Sequence, residues 1–204
     1  MRVIVLGAGV VGTASAWYLA RAGHEVTVVD RQPAPAMETS FANGGQISVS
    51  HAEPWANPGA PAMILRWLGR EDAPLLVRLR WDWAQWSWGL RFLRECLPAR
   101  TADNTRTILA LALHSRRMLQ ALRDELGLDY DQQTRGILHL HTDAREFGRA
   151  RSHVGALRAH GLDVDVVSAS ECVAIEPALA KAAPMLAGAT YAASDESGDA
   201  RKFT

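Results

Sequence analysis

Three glycines, Gly7, Gly9 and Gly12, stand in the run Gly7-Ala8-Gly9-Val10-Val11-Gly12, a G-x-G-x-x-G spacing. That spacing can hold a pyrophosphate. The first glycine permits a tight turn, the second lets the backbone approach the phosphates, and the third lets the following helix pack closely on the preceding strand. The helix start then adds free N–H groups and the positive end of its dipole. Asp30 follows Gly12 by 18 residues. A carboxylate at about that distance, ~20 residues on, can accept hydrogen bonds from ribose hydroxyls. It would also repel a 2′-phosphate, which disfavours NADP and leaves NAD and FAD.

The elements needed to position these residues are legible around them. Residues 2–6 (RVIVL) read as a buried strand, 10–22 as a helix, and 26–29 (VTVV) as a second strand ending at Asp30. This is a βαβ opening with a parallel pair. The predicted ADP site is therefore Val3, Ile4, Val5, Leu6, Gly7, Ala8, Gly9, Val10, Val11, Gly12, Thr13, Ala14, Ser15, Ala16 and Trp17, with Asp30 and Arg31. In a dinucleotide domain built for NAD a second crossover helix would follow promptly. Here residues 31–62 carry many Pro, Gly, Ser and Asn, with at most a short helix near Ser40–Asn43. Within them Thr39, Ser40, Asn43, Gly44, Gly45 and Gln46 offer hydroxyl, amide and backbone donors. Such a stretch tips the reading toward FAD, with this segment near the flavin; the alternative is a surface loop stabilised by Asn and Gly turns.

Further along, helices are expected at about 63–69, 77–97 and 104–126, with Pro74 and Pro98 as breaks and Gly127 as a stop. Strands are expected at 136–141, 163–167 and 188–193, and a helix at 143–160. Ser168 and Glu171 form a capping-box pattern opening a short helix. The expected organisation is 1–62 as the first part of an FAD-binding domain, 63–193 as helix-rich substrate-domain material, and 194–204 as a return toward the first domain. The fold class is α/β: a Rossmann-like FAD-binding domain, incomplete, with an α+β substrate part. Only two strands of a sheet that needs several are legible, so the chain reads as an N-terminal fragment, inactive alone.

The opening 1–30 followed by "ETSFANGGQIS" resembles the D-amino acid dehydrogenase family, FAD enzymes of the wider D-amino acid oxidase and glycine oxidase group. So do "SHAEPWANPGAP" (50–61), "DAPLLVRL" (72–79), "RGILHLHTD" (135–143), "IEPALA" (175–180) and "DESGDARKFT" (195–204). The resemblance runs end to end but covers about the first half of a typical member. Phe41, Gly44 and His51 sit where relatives often differ, and Ala200 follows Asp199 where the wider group often has proline. The resemblance implies oxidation of a D-amino acid, typically D-alanine to pyruvate and ammonia. The Cα hydrogen would leave as a hydride equivalent to the flavin, with a quinone or respiratory-chain acceptor downstream. The alternatives are an oxygen-using amine oxidase of glycine oxidase type and a non-catalytic dinucleotide-binding module. No catalytic residue is assigned. Arg135, as a clamp for the substrate carboxylate, competes with a solvated arginine, and His139 and His141, as metal ligands, compete with packing residues.

Composition bounds the partners. Lys plus Arg equals Asp plus Glu, 22 each, so no net charge draws the chain to nucleic acid. No apolar run reaches the ~18 residues of a membrane span. Cys96 and Cys172 are read as free thiols in a reducing cytoplasm. Six of the seven tryptophans lie between positions 55 and 88. At helical spacing Trp83, Trp86, Leu90, Leu93 and Leu97 share one stripe; Trp81, Trp88 and Phe92 share the other, flanked by Arg80, Arg91 and Arg94. One stripe must face a core. The second is either sandwiched inside the domain or lies against a membrane surface. The expected localisation is cytoplasmic, with peripheral contact on the cytoplasmic face of the inner membrane.

Overall fold

The computed structural model describes residues 1–74, 78 and 80–204. β1 (Arg2–Leu6), α1 (Val10–Arg21) and β2 (Glu25–Val29) form the expected βαβ opening, with β1 and β2 parallel from Arg2↔Glu25 to Leu6↔Val29. β-branched residues fill both strands, and Gly23, at φ +83°, makes the left-handed turn that takes the chain from α1 into β2.

Beyond β2 the chain forms β3 (Gln46–Ile47), a 3-10 turn at Val49–His51, α2 (Ala60–Trp67), α3 (Trp83–Glu95) and α4 (Pro98–Leu126). The short helix expected near Ser40–Asn43 is absent: those residues make turns. The Asn43 side chain accepts from the Gly45 N–H at 2.7 Å, which offers the backbone a turn in place of a helix. The helix expected at 77–97 begins only at Trp83. Asp82 caps it, its carboxylate accepting from the Ala84 N–H at 2.8 Å. Trp81 therefore precedes the helix and joins neither stripe; Val77 and Leu79 lie outside the described residues. Pro98 opens α4 instead of merely ending its predecessor, because a first-turn proline has no N–H to lose.

The remaining elements are β4 (Ile137–His141), α5 (Ala144–Ala159), β5 (Val164–Val167), α6 (Ala169–Ile175), β6 (Gly188–Ala192), β7 (Glu196–Ser197) and α7 (Ala200–Phe203). The three-stranded sheet has the order β4-β6-β5, with β6 antiparallel to both neighbours. The β4-α5-β5 unit is thus a split βαβ with β6 inserted. Cys172, Ala189 and Val167 form a core there, packed by Leu138, Leu179, Leu186 and Tyr191. Separately, β3 and β7 pair antiparallel.

The chain divides into two compact units, Met1–Ser50 with Arg116–Thr204, and His51–Ser115. The second contains α2, α3 and the start of α4. Inside it Cys96 is buried, the Thr101 hydroxyl donates to the Ala56 carbonyl at 3.2 Å, and Asn104 donates to Glu95 at 2.9 Å. No residue of α3 is buried, so both of its stripes are open. Trp88 and Phe92 stack on each other with centroids 5.2 Å apart. Among the described residues no helix is long and apolar enough to cross a membrane.

Candidate functional site

The glycine loop joins β1 to α1, and its geometry needs glycine at two points. Gly7 has φ +103°, a conformation that a side chain strains. A Cβ on Gly12 would run into the Gly7 carbonyl oxygen, so only a hydrogen lets the first turn of α1 close onto the loop. A Cβ on Gly9 would meet the Ser40 hydroxyl at 3.3 Å. Gly9 stands at the N-cap of α1 without a side chain to satisfy the helix N–H groups.

The segment after β2 folds back over this loop as a strap. The Asp30 carboxylate accepts from the Ala8 N–H at 2.6 Å and from the Gln32 N–H at 2.7 Å. These bonds, the Ala8 one foremost, hold Asp30 below the usual carboxylate range. The Ala36 N–H donates to the Ala8 carbonyl at 2.9 Å, and Ala36 itself sits at φ +58°, unusual for a residue with a side chain. The Ser40 hydroxyl accepts from the Val10 N–H at 3.0 Å, one of the open donors of α1. Arg31 donates to both oxygens of Glu38, at 2.5 Å each, and this pairing, with help from Gln32, lowers Glu38 to about 2.

Loop and strap enclose a cavity of about 420 Å³. Of the residues predicted from sequence, Leu6, Gly7, Gly9, Asp30, Arg31, Thr39 and Ser40 line it; Val29, Ala36, Met37 and Glu38, outside that set, do so too. A second cavity of about 330 Å³ takes Ser40, Asn43 and Gly44 together with Phe41, Asp131 and the 197–200 stretch. The Arg201 guanidinium stands 4.5 Å over the Phe41 ring. Gln46 belongs to β3, and Gly45 packs so tightly that a Cβ would run into the Gly198 carbonyl oxygen. Val3, Ile4, Val5, Ala8, Val10, Val11, Gly12 and Thr13–Trp17 line neither cavity; they build the strand and helix that carry the loop.

Arg135 donates to the Gln133 side chain at 3.1 Å and is exposed. His141 packs against Phe147, centroids 5.9 Å apart. Among the described residues no three His, Cys, Asp or Glu side chains form a metal-holding group.

The model of the DAO family, described as FAD dependent oxidoreductase, matches residues 2–204. The chain belongs to this family. D-amino acid dehydrogenase of Dechloromonas aromatica (strain RCB) is 64% identical over 204 residues, all of this chain and 49% of that protein. D-amino acid dehydrogenase of Paramagnetospirillum magneticum is 58% identical over 205 residues, again 49% of its length. The DAO chain thus spans about half the length of the curated relatives it matches. Among solved structures, glycine oxidase from Geobacillus kaustophilus superposes with TM-score 0.65 at 23% identity, covering 98% of this chain and 42% of that one. L-proline dehydrogenase from P. horikoshii gives 0.54 at 18%, covering 99% and 39%. These likenesses show the shared fold. The DAO family is FAD-dependent, and the residues present fit the phosphate end of such a group: a loop turned by Gly7 and Gly12, with no Cβ at Gly9, beside the N-terminus of α1.

Sequence reasoning missed the strap's inner contacts. Ala36 and Glu38 carry no motif, and their partners lie in folded space. It also missed Asp195 and Glu196, whose carboxylates are buried.

Proposed function

We propose that this chain is the nucleotide-binding part of an FAD-dependent D-amino acid dehydrogenase that converts D-amino acids, D-alanine among them, to 2-oxo acids and ammonia. The observation that carries the reading is the glycine cradle closed by Asp30 and Ser40, on a chain resembling D-amino acid dehydrogenases along its whole length. Gly9 lets a pyrophosphate approach the start of α1, on a loop whose turn Gly7 and Gly12 make possible. Asp30 keeps lone pairs for the adenosine ribose beyond those given to Ala8 and Gln32. Ser40, Asn43 and the Gly44–Gly45 backbone supply donors toward the flavin end. FAD, when bound, supplies the acceptor for the hydride equivalent that leaves Cα. The amine nitrogen loses a proton as the C=N bond forms, and water then replaces ammonia at that carbon. The chain's part is to hold, orient and exclude water.

Gly9→Val is the test. Its side chain collides with Ser40 and fills the phosphate approach. The full-length variant is expected to purify colourless where the wild type is yellow. A yellow variant with unchanged flavin stoichiometry would refute the site. Hydrogen peroxide released in air during turnover would move the assignment to an oxygen-using oxidase. A colourless wild type that binds NAD would make the chain a dinucleotide-binding module.

The acceptor we favour is a quinone or respiratory-chain component reached at the cytoplasmic face of the inner membrane. The open aromatic stripes of α3, with Arg91 and Arg94 alongside, support such a contact, since aromatics suit the headgroup level and arginines suit anionic lipid. Wild-type protein is expected to float with anionic liposomes, and a Trp88/Phe92 double alanine variant to stay at the bottom. Equal behaviour of the two rejects the membrane contact.

A further inference from the structure

We propose that Asp195 is a positioning residue that fixes the downstream end of the flavin-proximal segment; this rests on the reading of Thr39–Gln46 as that segment. Asp195 is 1% exposed, and its carboxylate gathers the chain just past β3. One oxygen accepts from the Val49 N–H at 3.0 Å. The other accepts from the Ser48 hydroxyl at 2.8 Å and the Ser50 hydroxyl at 2.5 Å. The Ser50 N–H is shared between both, at 3.4 and 3.3 Å. Two hydroxyls and two amides of three consecutive residues thus converge on one buried charge.

The charge is itself anchored. The Arg116 guanidinium stands 3.8 Å from Asp195 and donates to the Ser194 carbonyl at 2.9 Å. The next residue, Glu196, opens β7 and meets the same helix. It accepts from Gln120 at 2.5 Å and from Arg123 at 2.7 Å. Arg116, Gln120 and Arg123 fall on one face of α4 at i, i+4 and i+7. The pairing with Glu196 raises Arg123 above its usual range. β7 therefore hangs from α4 by Glu196 and holds the segment by three links: the β3 ladder, the Gly198 N–H donating to the Gly45 carbonyl at 2.9 Å, and Asp195. A buried carboxylate is costly unless its lone pairs are used, and Asp195 uses its own on the stretch that follows Gln46. The backbone from Gly45 to Ser50 is tied through these residues to α4, not left to a loop's freedom. That is the support a cofactor-facing segment needs to keep its donors in place.

The experiment uses full-length protein loaded with FAD. Asp195→Asn keeps the shape, removes the charge, and turns an amide N–H₂ toward donors. It is expected to shift the visible flavin spectrum and to release FAD at least about tenfold faster on dilution, the scale of losing hydrogen bonds to a charged group. Cys172→Ala, in the core beneath the three-stranded sheet, is the comparison. It is expected to lower Tm while leaving spectrum and release rate as in wild type. If Asp195→Asn fails to fold, Ser50→Ala removes a single hydroxyl from the carboxylate and is expected to move spectrum and release the same way by less. Folded Asp195→Asn or Ser50→Ala protein with wild-type spectrum and release overturns the inference alone. Wild-type protein that binds no FAD overturns the proposed function, and this inference with it.

Discussion

Asp30 performs two tasks with one carboxylate. It ties the glycine loop to the end of β2 through the Ala8 and Gln32 amides, and in the function proposed above it also meets the ribose. Only the ionised form accepts from both amides. Its folded pKa lies below the ordinary value, so its contribution to stability is fully present above the usual carboxylate range of about 4 and is lost as pH falls through the folded value. Asp30→Asn is therefore expected to melt below wild type at neutral pH, with the gap closing in acid below about pH 4. A gap unchanged from neutral pH to strong acid would show that the charge plays no part. The position of Asp30 at the end of β2 is legible, because strand end plus acid at a fixed interval is a local pattern. The amide-holding role is not, since Ala8 lies 22 residues away and the bond exists only once β2 lies beside β1. Ser40 shows the same limit. The sequence offers its hydroxyl as a donor toward a cofactor. That it accepts from the first turn of α1, 30 residues earlier, is not legible.

At the scale of elements, local signals held where they were complete. The Ser168–Glu171 capping box forms with both of its bonds, the Ser168 hydroxyl accepting from the Glu171 N–H at 3.3 Å and the Glu171 carboxylate accepting from the Ser168 N–H at 2.7 Å. Ser168 lowers the Glu171 pKa as well, so the box is intact at neutral pH. Ser168→Ala is expected to lower Tm by roughly 2–4 °C, the usual effect of a lost N-cap in a protein of this size. A Tm equal to wild type would mean that α6 is held by Cys172 packing alone. Where two signals competed, the sequence reading followed the wrong one. Apolar residues continuous with Trp83 extended α3 backward past Asp82, although Asp82 is itself a capping residue. Pro98 reads locally as a breaker, yet its place in a first turn makes it an opener. The strand order β4-β6-β5 has no local signature at all. Nothing in 137–192 states that the last strand inserts between the first two; closing the hydrophobic layer over Cys172 decides it.

At the scale of the molecule, β1 and β2 form a parallel sheet of only two strands, and parallel sheets are stable when both faces are covered. Here Ile4 is 68% exposed and Leu6 81%, and Val28 and Val29 are exposed beside them. The relatives that match every residue of this chain are about twice its length. The open apolar face leaves the sheet without the cover that such sheets need, on a chain that spans about half the length of these relatives. The 204-residue chain produced alone and mixed with FAD is therefore expected to bind flavin weakly. It is also expected to self-associate as concentration rises, and to give no D-alanine-dependent dye reduction, because an uncovered sheet pairs with its own kind and a half-lined cavity holds its ligand loosely. Gel filtration, bound-flavin absorbance and a dye assay read the three outcomes. A monomer retaining one FAD per chain and turning over D-alanine would show that the glycine loop, its strap and the β7 anchor suffice, and that the open sheet needs no cover.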